Sequence, residues 1–157
     1  MGWEVLLKAN RLACNHLYVE REYSPEQRHV LIVDDEARTT VLEETILKHA
    51  GFECQIARDG LEAIQMARQN RPDLVLLDVF MPKLDGFETL AALRKDPKLR
   101  DLPVIMVTAD LTENDVVRGL QMGADDYVVK PFNAQEMVAR IDRTLRNAEP
   151  RKPAPRS

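Results

Sequence analysis

Asp34, Asp35, Asp78, Thr108 and Lys130 are the side chains of this sequence that could do chemistry together. Each stands where a short apolar run stops. Val30–Val33 ends in Asp34-Asp35-Glu36, Leu74–Leu77 in Asp78, Val104–Val107 in Thr108, and Tyr127–Val129 in Lys130. Aliphatic runs of this length read as buried strands. The carboxyl ends of strands in an open α/β sheet are where ligands bind. If these strands run parallel, the five side chains meet at one edge.

Three carboxylates brought together repel one another, and each then prefers to be neutral. A divalent cation removes that penalty. An all-oxygen donor set favours Mg2+, Mn2+ or Ca2+ over zinc, and few carboxylates with open positions suit Mg2+, which keeps waters and accepts a phosphate oxygen. A lysine ammonium and a threonine hydroxyl complement an anion rather than a metal. Cation, ammonium, hydroxyl and a free carboxylate oxygen together describe phosphoryl transfer. Asp78 can then be the nucleophile, forming an aspartyl phosphate. Taken singly, each residue has a plainer use: Asp34 or Asp35 as a helix cap, Thr108 as a loop hydroxyl, Lys130 as a solvated charge. Their joint arrival at one edge is what favours a site.

The elements that must hold them alternate strand and helix. After the first run comes a helix with Leu42, Ile46 and Ala50 on one face and Gly51 as its stop. Phe52, Cys54 and Ile56 then alternate with Glu53 and Gln55, the pattern of a strand with one less buried face. Asp59-Gly60-Leu61-Glu62 and Asp85-Gly86-Phe87-Glu88 resemble capping boxes and open the next two helices, the second carrying Phe87, Leu90 and Leu93. Thr112 with Asp115 starts a fourth helix, and Asn133 with Glu136 a fifth, whose stripe is Met137, Val138, Ile141 and Leu145. Five such units imply a doubly wound parallel sheet with helices on both faces. An alternating second strand and a short fifth strand suit the flavodoxin-like order 2-1-3-4-5.

The remaining chain offers less. Residues 3–18 place Trp3, Leu6, Leu7, Cys14 and Leu17 at near-helical spacing, so an extra N-terminal helix is expected, followed by a polar linker to residue 28. Residues 148–157 are rich in proline and arginine and read as a disordered tail or a cut linker. At 157 residues, 45% hydrophobic and 31% charged, the balance is that of a globular protein of one main domain over 29–147. A net charge of −4 gives no general attraction to nucleic acid. Nothing approaches a membrane span of about 20 apolar residues, and a reducing cytoplasm suits Cys14 and Cys54, which stand apart with no paired motif.

From about His29 to Asn147 the chain resembles the receiver domain of two-component response regulators. The resemblance is carried, in order, by Val33-Asp34-Asp35-Glu36, Leu77-Asp78-Val79-Phe80-Met81-Pro82, Asp85-Gly86, Val107-Thr108-Ala109 and Val129-Lys130-Pro131-Phe132. It implies that Asp78 accepts phosphate from a histidine kinase or phosphotransfer protein, and that the chain catalyses only its own phosphorylation and dephosphorylation. It implies that Asp35, Asp78 and the backbone carbonyl of Phe80 hold Mg2+, with Asp34 acting through a metal-bound water. Thr108 and Lys130 would contact the phosphoryl group, Tyr127 would be the switch aromatic, and Lys130-Pro131 would be cis.

Gly123-Ala124-Asp125-Asp126-Tyr127 and Val138-Ala139-Arg140-Ile141 resemble the subfamily whose receivers form homodimers through helix four, strand five and helix five. Asp126 and Arg140 match a charged pair used there, while a basic partner expected for Glu136 is replaced by Val116. Phe80 and Asp110, each two residues beyond a site residue, match positions that tune the life of the phosphoryl group. Rival readings remain: a scaffold on the same fold that is never phosphorylated, or a phosphatase or flavin protein on a similar sheet. The last two are disfavoured because Phe80 stands where the phosphatase wants a second aspartate, and Asp-Asp-Glu where a flavodoxin wants a phosphate loop.

Overall fold

Successive residues of a strand point to opposite faces, and here both faces must be apolar because helices cover both. The computed structural model describes residues 28–109 and 112–148. Its strands are β1 (His29–Val33), β2 (Glu53–Ala57), β3 (Leu74–Asp78), β4 (Val104–Thr108) and β5 (Asp126–Val129). All neighbours are parallel, in the order β2-β1-β3-β4-β5. The helices are α1 (Ala37–His49), α2 (Gly60–Gln69), α3 (Gly86–Lys95), α4 (Glu113–Gln121) and α5 (Ala134–Ala148). The helix expected over 3–18 and the tail beyond Ala148 lie outside the described residues.

Two apolar layers result. Leu31, Val33, Val75, Leu77 and Met106 pack with Ala63 and Ala67 of α2 and with Phe87, Leu90 and Leu93 of α3. Val30, Ile32, Leu74, Leu76 and Val107 pack with Leu47 of α1 and with Met137, Ile141 and Leu145 of α5. Each of the Val, Leu, Ile, Phe and Met side chains among them contributes ~1.5–3 kcal/mol when taken from water. β3 is buried along its whole length, Asp78 included, whereas exposed and half-buried residues alternate in the edge strand β2.

The helix starts follow the sequence signals. Asp59 accepts from the Glu62 N–H (2.8 Å), Asp85 from the Glu88 N–H (2.8 Å), and Thr112 from the Asp115 N–H (3.3 Å). Asn133 accepts from the N–H of Gln135 (2.8 Å) and of Glu136 (3.4 Å). Such caps are typically worth about 1 kcal/mol each.

The buried face of α1 differs from the expected one. Leu42 is 52% exposed, and the fully buried positions are Thr40, Glu43 and Leu47. Ile46 and Ala50 pack only partly against the core. The helix begins three residues after Asp34, so its phase is set by the strand end, and its first inner turn lies beside polar groups. Among the described residues, no helix is long and apolar enough to cross a membrane.

Candidate functional site

Register decides which side chains meet. Val33 pairs with Leu77, so Asp34 and Asp78 leave neighbouring strands at the same level. Asp78 pairs with Val107 and Thr108 with Val129, which sets Thr108 and Lys130 one step further along the same edge. The Lys130 N–H donates to the Thr108 carbonyl at 2.8 Å. The Lys130-Pro131 peptide bond is cis, as the resemblance implied.

The three carboxylates come together. One oxygen from each of Asp34, Asp35 and Asp78 lies within 4.8 Å of the others; Asp34 and Asp78 are buried and Asp35 is exposed. Lys130 crosses from the far side. Its Nζ donates to Asp34 Oδ2 at 3.0 Å and stands 3.6 Å from Asp78 Oδ1. Asp34 Oδ1 also accepts from the Glu36 N–H at 2.9 Å, which fixes the turn into α1. Thr108 is 1% exposed at the end of β4.

Burial first, and then the negative charge of Asp34, push the Asp78 carboxyl up to about 6; Lys130 and a hydrogen bond from the Phe80 backbone oppose them. Burial pulls Lys130 down, but its bond to Asp34 and the charges of Asp78 and Asp34 outweigh that and leave it raised. The pocket is thus short of positive charge even with its lysine in place. Its donors are all oxygens and Asp35 is open to solvent, which fits a hard cation that retains waters.

Neighbouring elements are shaped by the site. A Cβ on Gly86 would lie 2.4 Å from the Asp78 carbonyl oxygen and 2.8 Å from the Val79 Cα. Only glycine lets α3 start so close to the end of β3, and its N–H donates to the Val79 carbonyl at 2.8 Å. Phe80, between them, is 58% exposed. Tyr127 is 8% exposed, and its hydroxyl donates to the Asp115 carbonyl of α4 at 3.0 Å.

Asp126, Glu136 and Arg140 also meet, within one chain. Arg140 donates to both Asp126 oxygens (3.0 and 3.2 Å) and to Glu136 (3.1 Å), and Arg143 adds a bond to Asp126 (3.0 Å). Val116 packs against the core, and Glu136 takes its cation from Arg140. Asp110 lies outside the described residues.

Two residues escaped the sequence reading. Glu43, on the inner face of α1, is 1% exposed. The sign available was the helical phase itself, since Thr40, Glu43 and Leu47 are spaced for one face. Arg94 of α3 is half-buried and donates to the carbonyls of Gly123, Arg100 and Leu102. No side-chain pattern announces backbone acceptors.

The model of the response regulator receiver domain family matches residues 30–142. A probable transcriptional regulator ycf27 of Guillardia theta is 49% identical over 117 residues, 74% of this chain and 45% of that protein. The DNA-binding dual master transcriptional regulator RpaA of Synechocystis is 41% identical over 76% of this chain and 50% of its own length. This chain spans about half the length of the curated relatives it matches. Among solved structures, chemotaxis protein CheY4 of Vibrio cholerae superposes with a TM-score of 0.73 at 32% identity, covering 76% of this chain and 99% of that one. A putative response regulator of Chloroflexus aurantiacus gives 0.74 at 36% identity, over 77% of this chain and 99% of its own. With the strand order, the acidic edge and the lysine opposite it already in place, the chain belongs to the response regulator receiver domain family.

Proposed function

We propose that this chain takes a phosphoryl group onto Asp78 from the phosphohistidine of a sensor histidine kinase or phosphotransfer protein, and signals through the face formed by α4, β5 and α5. The observation that carries this is the meeting of three carboxylates, within 4.8 Å of one another, with Lys130 at 3.0 Å from Asp34 and 3.6 Å from Asp78. Asp34, Asp35, Asp78 and the Phe80 carbonyl would hold Mg2+, with Mn2+ as a substitute. The cation supplies charge neutralisation for the carboxylates and for the phosphoryl oxygens.

The chain's own residues do the rest. An Asp78 oxygen forms the bond to phosphorus as the bond to the donor imidazole nitrogen breaks, and that nitrogen keeps the electron pair. Lys130 and Thr108 hold the phosphoryl oxygens. The new group adds about −1.5 to −2 charge and three acceptors at the sheet edge. Thr108 turning toward it leaves space for the Tyr127 ring, which couples the site to the α4–β5–α5 face and to self-association there. In this reading the chain catalyses only its own modification.

The test is intact mass after treatment with acetyl phosphate and Mg2+. One phosphoryl adduct on the wild type and none on Asp78→Asn supports the reading. An adduct on both, or on neither, overturns it. A sizing column, run with and without a beryllofluoride phosphate mimic, reads the self-association.

A further inference from the structure

Among the described residues, Lys83 is the non-glycine residue with a positive φ, +68. It lies five positions beyond Asp78, in the loop that joins β3 to α3 and includes Phe80. A side chain with a Cβ is strained in that conformation, and lysine lacks the local hydrogen bonding that lets asparagine or aspartate adopt it. The loop therefore needs a hold from outside.

The loop before α2 supplies one. Lys83 Nζ donates to Asp59 Oδ2 at 3.3 Å, while Asp59 Oδ1 caps α2 through the Glu62 N–H at 2.8 Å. The carboxylate is thus fixed to a helix start, and its partner reaches over from the strained residue. The same two segments touch again one residue on: a Cβ on Gly60 would lie 2.9 Å from the Leu84 Cβ. At its base the loop is closed by the Gly86 N–H, which donates to the Val79 carbonyl at 2.8 Å. Phe80 stands in the stretch between that closing bond and the Lys83–Asp59 pair. The lysine side chain is 66% exposed. An exposed ion pair stabilises only slightly, and one left-handed residue costs an amount of similar order. The pair thus adds almost nothing to the fold. What it can decide is the path of the loop.

We propose that Lys83 is a positioning residue for the cation: its pair with Asp59 holds the loop so that the Phe80 backbone carbonyl is in place beside the acidic trio. This rests on the phosphoacceptor reading above, in which that carbonyl joins Asp34, Asp35 and Asp78. Charge and geometry give opposite signs here. As a bare positive charge, Lys83 repels a cation, and removing it should tighten Mg2+ binding. As a fastening, its removal should weaken binding.

The experiment titrates full-length wild type, Lys83→Met, Lys83→Arg, Asp59→Asn and the Lys83→Met/Asp59→Asn double variant with Mg2+ by calorimetry. Lys83→Met should bind about two- to fivefold more weakly, the scale of one exposed ion pair. Lys83→Arg reaches the same carboxylate and should stay near wild type. Asp59→Asn keeps the helix cap, because asparagine accepts the same N–H. It should weaken binding more when Lys83 is present than in the Lys83→Met background. Binding in Lys83→Met equal to or tighter than wild type overturns the proposal, as does strict additivity of the two substitutions. Hydrogen exchange at the Gly86 amide in metal-free protein is the second readout, and it should be faster in Lys83→Met. If wild type takes up no Mg2+, the phosphoacceptor reading fails whatever the loop does. Equal exchange at Gly86 in wild type and Lys83→Met overturns the fastening itself.

Discussion

The Tyr127 ring stands where Gly119 would need to put a side chain: a Cβ built there lies 1.5 Å from the Tyr127 hydroxyl oxygen. The inward position of the ring therefore depends on α4 carrying a glycine in its last turn. Gly119→Ala should hold the ring outward whether or not a phosphoryl group is present. It forfeits the bond to the Asp115 carbonyl, worth about 1 kcal/mol, and its self-association should lose its dependence on a phosphate mimic. Tyrosine ring signals in NMR and a sizing column check both. A ring that stays inward in Gly119→Ala, or a Tyr127→Ala variant with unchanged mimic-dependent association, would disprove the coupling.

Gly86 is held to its identity by the strand end that carries Asp78 rather than by its own backbone angle. Gly86→Ala brings a methyl to 2.4 Å from the Asp78 carbonyl oxygen, which is backbone and cannot swing away. Overpacking of this kind costs about 1–3 kcal/mol, and it should shift the site as well as the fold. Urea unfolding measures the first. The rate of acetyl phosphate labelling, which should fall in folded Gly86→Ala, measures the second.

Phe80 is 58% exposed two residues beyond Asp78. A ring in that place can limit the approach of water to an acyl phosphate. Phe80→Asn should shorten the phosphoryl half-life several-fold, with Asp110 left untouched. A half-life equal to or longer than that of wild type would end the shielding idea.

Much of this was legible in the chain because the strands are short and four of the five run into a residue that packing alone would not choose. Asp78 after Leu74–Leu77 and Lys130 after Tyr127–Val129 are read as a strand end and a site at once. The face of α1 was not legible. Leu42 is the hydrophobic residue and Glu43 the charged one, so a rule of apolar-inside chooses the wrong phase; the strand end at Asp34 and the polar pocket choose the right one. The intrachain use of Arg140 by Asp126 and Glu136 was half visible, since the i, i+4 spacing with Glu136 can be counted but the distance to β5 cannot.

Glu43 also sets a dependence of stability on pH. Burial first, and then Asp34, raise it from 4.5 to about 8. Below about 4.5 both the folded and unfolded chains hold this proton; between 4.5 and 8 the folded chain holds it and the unfolded chain has released it. Folding is therefore linked to proton uptake, and the contribution present at low pH is lost as pH rises toward 8. In metal-free protein, wild type should lose stability relative to Glu43→Gln across that window, by an amount of order a few kcal/mol. Urea midpoints at a series of pH values in EDTA give the comparison. Parallel curves for the two proteins would mean that Glu43 is not held neutral by its burial.

Arg94 ties the loop before β5 to the loop before β4. Its guanidinium donates to the Gly123 carbonyl at 3.1 and 2.6 Å, to Leu102 at 2.7 Å and to Arg100 at 3.0 Å, and pairs with Asp125 at 3.3 Å. Gly123 itself has φ +99 and sits so near that a Cβ would lie 2.9 Å from Arg94 Nε. Removing the guanidinium leaves three carbonyls in want of donors, and charge-assisted bonds of this kind are worth about 1.5–3 kcal/mol each. Arg94→Met should therefore destabilise the fold by roughly 2–4 kcal/mol once water replaces part of the loss. Arg94→Lys should recover little, because an ammonium is a point donor and cannot span carbonyls on two loops. Hydrogen exchange should then show the turn at Gly123–Asp125 opening before the rest of the sheet, ahead of the strand that carries Tyr127 and runs into Lys130. If Arg94→Lys matched wild type in both stability and exchange, the fork geometry would be irrelevant and only the charge would count.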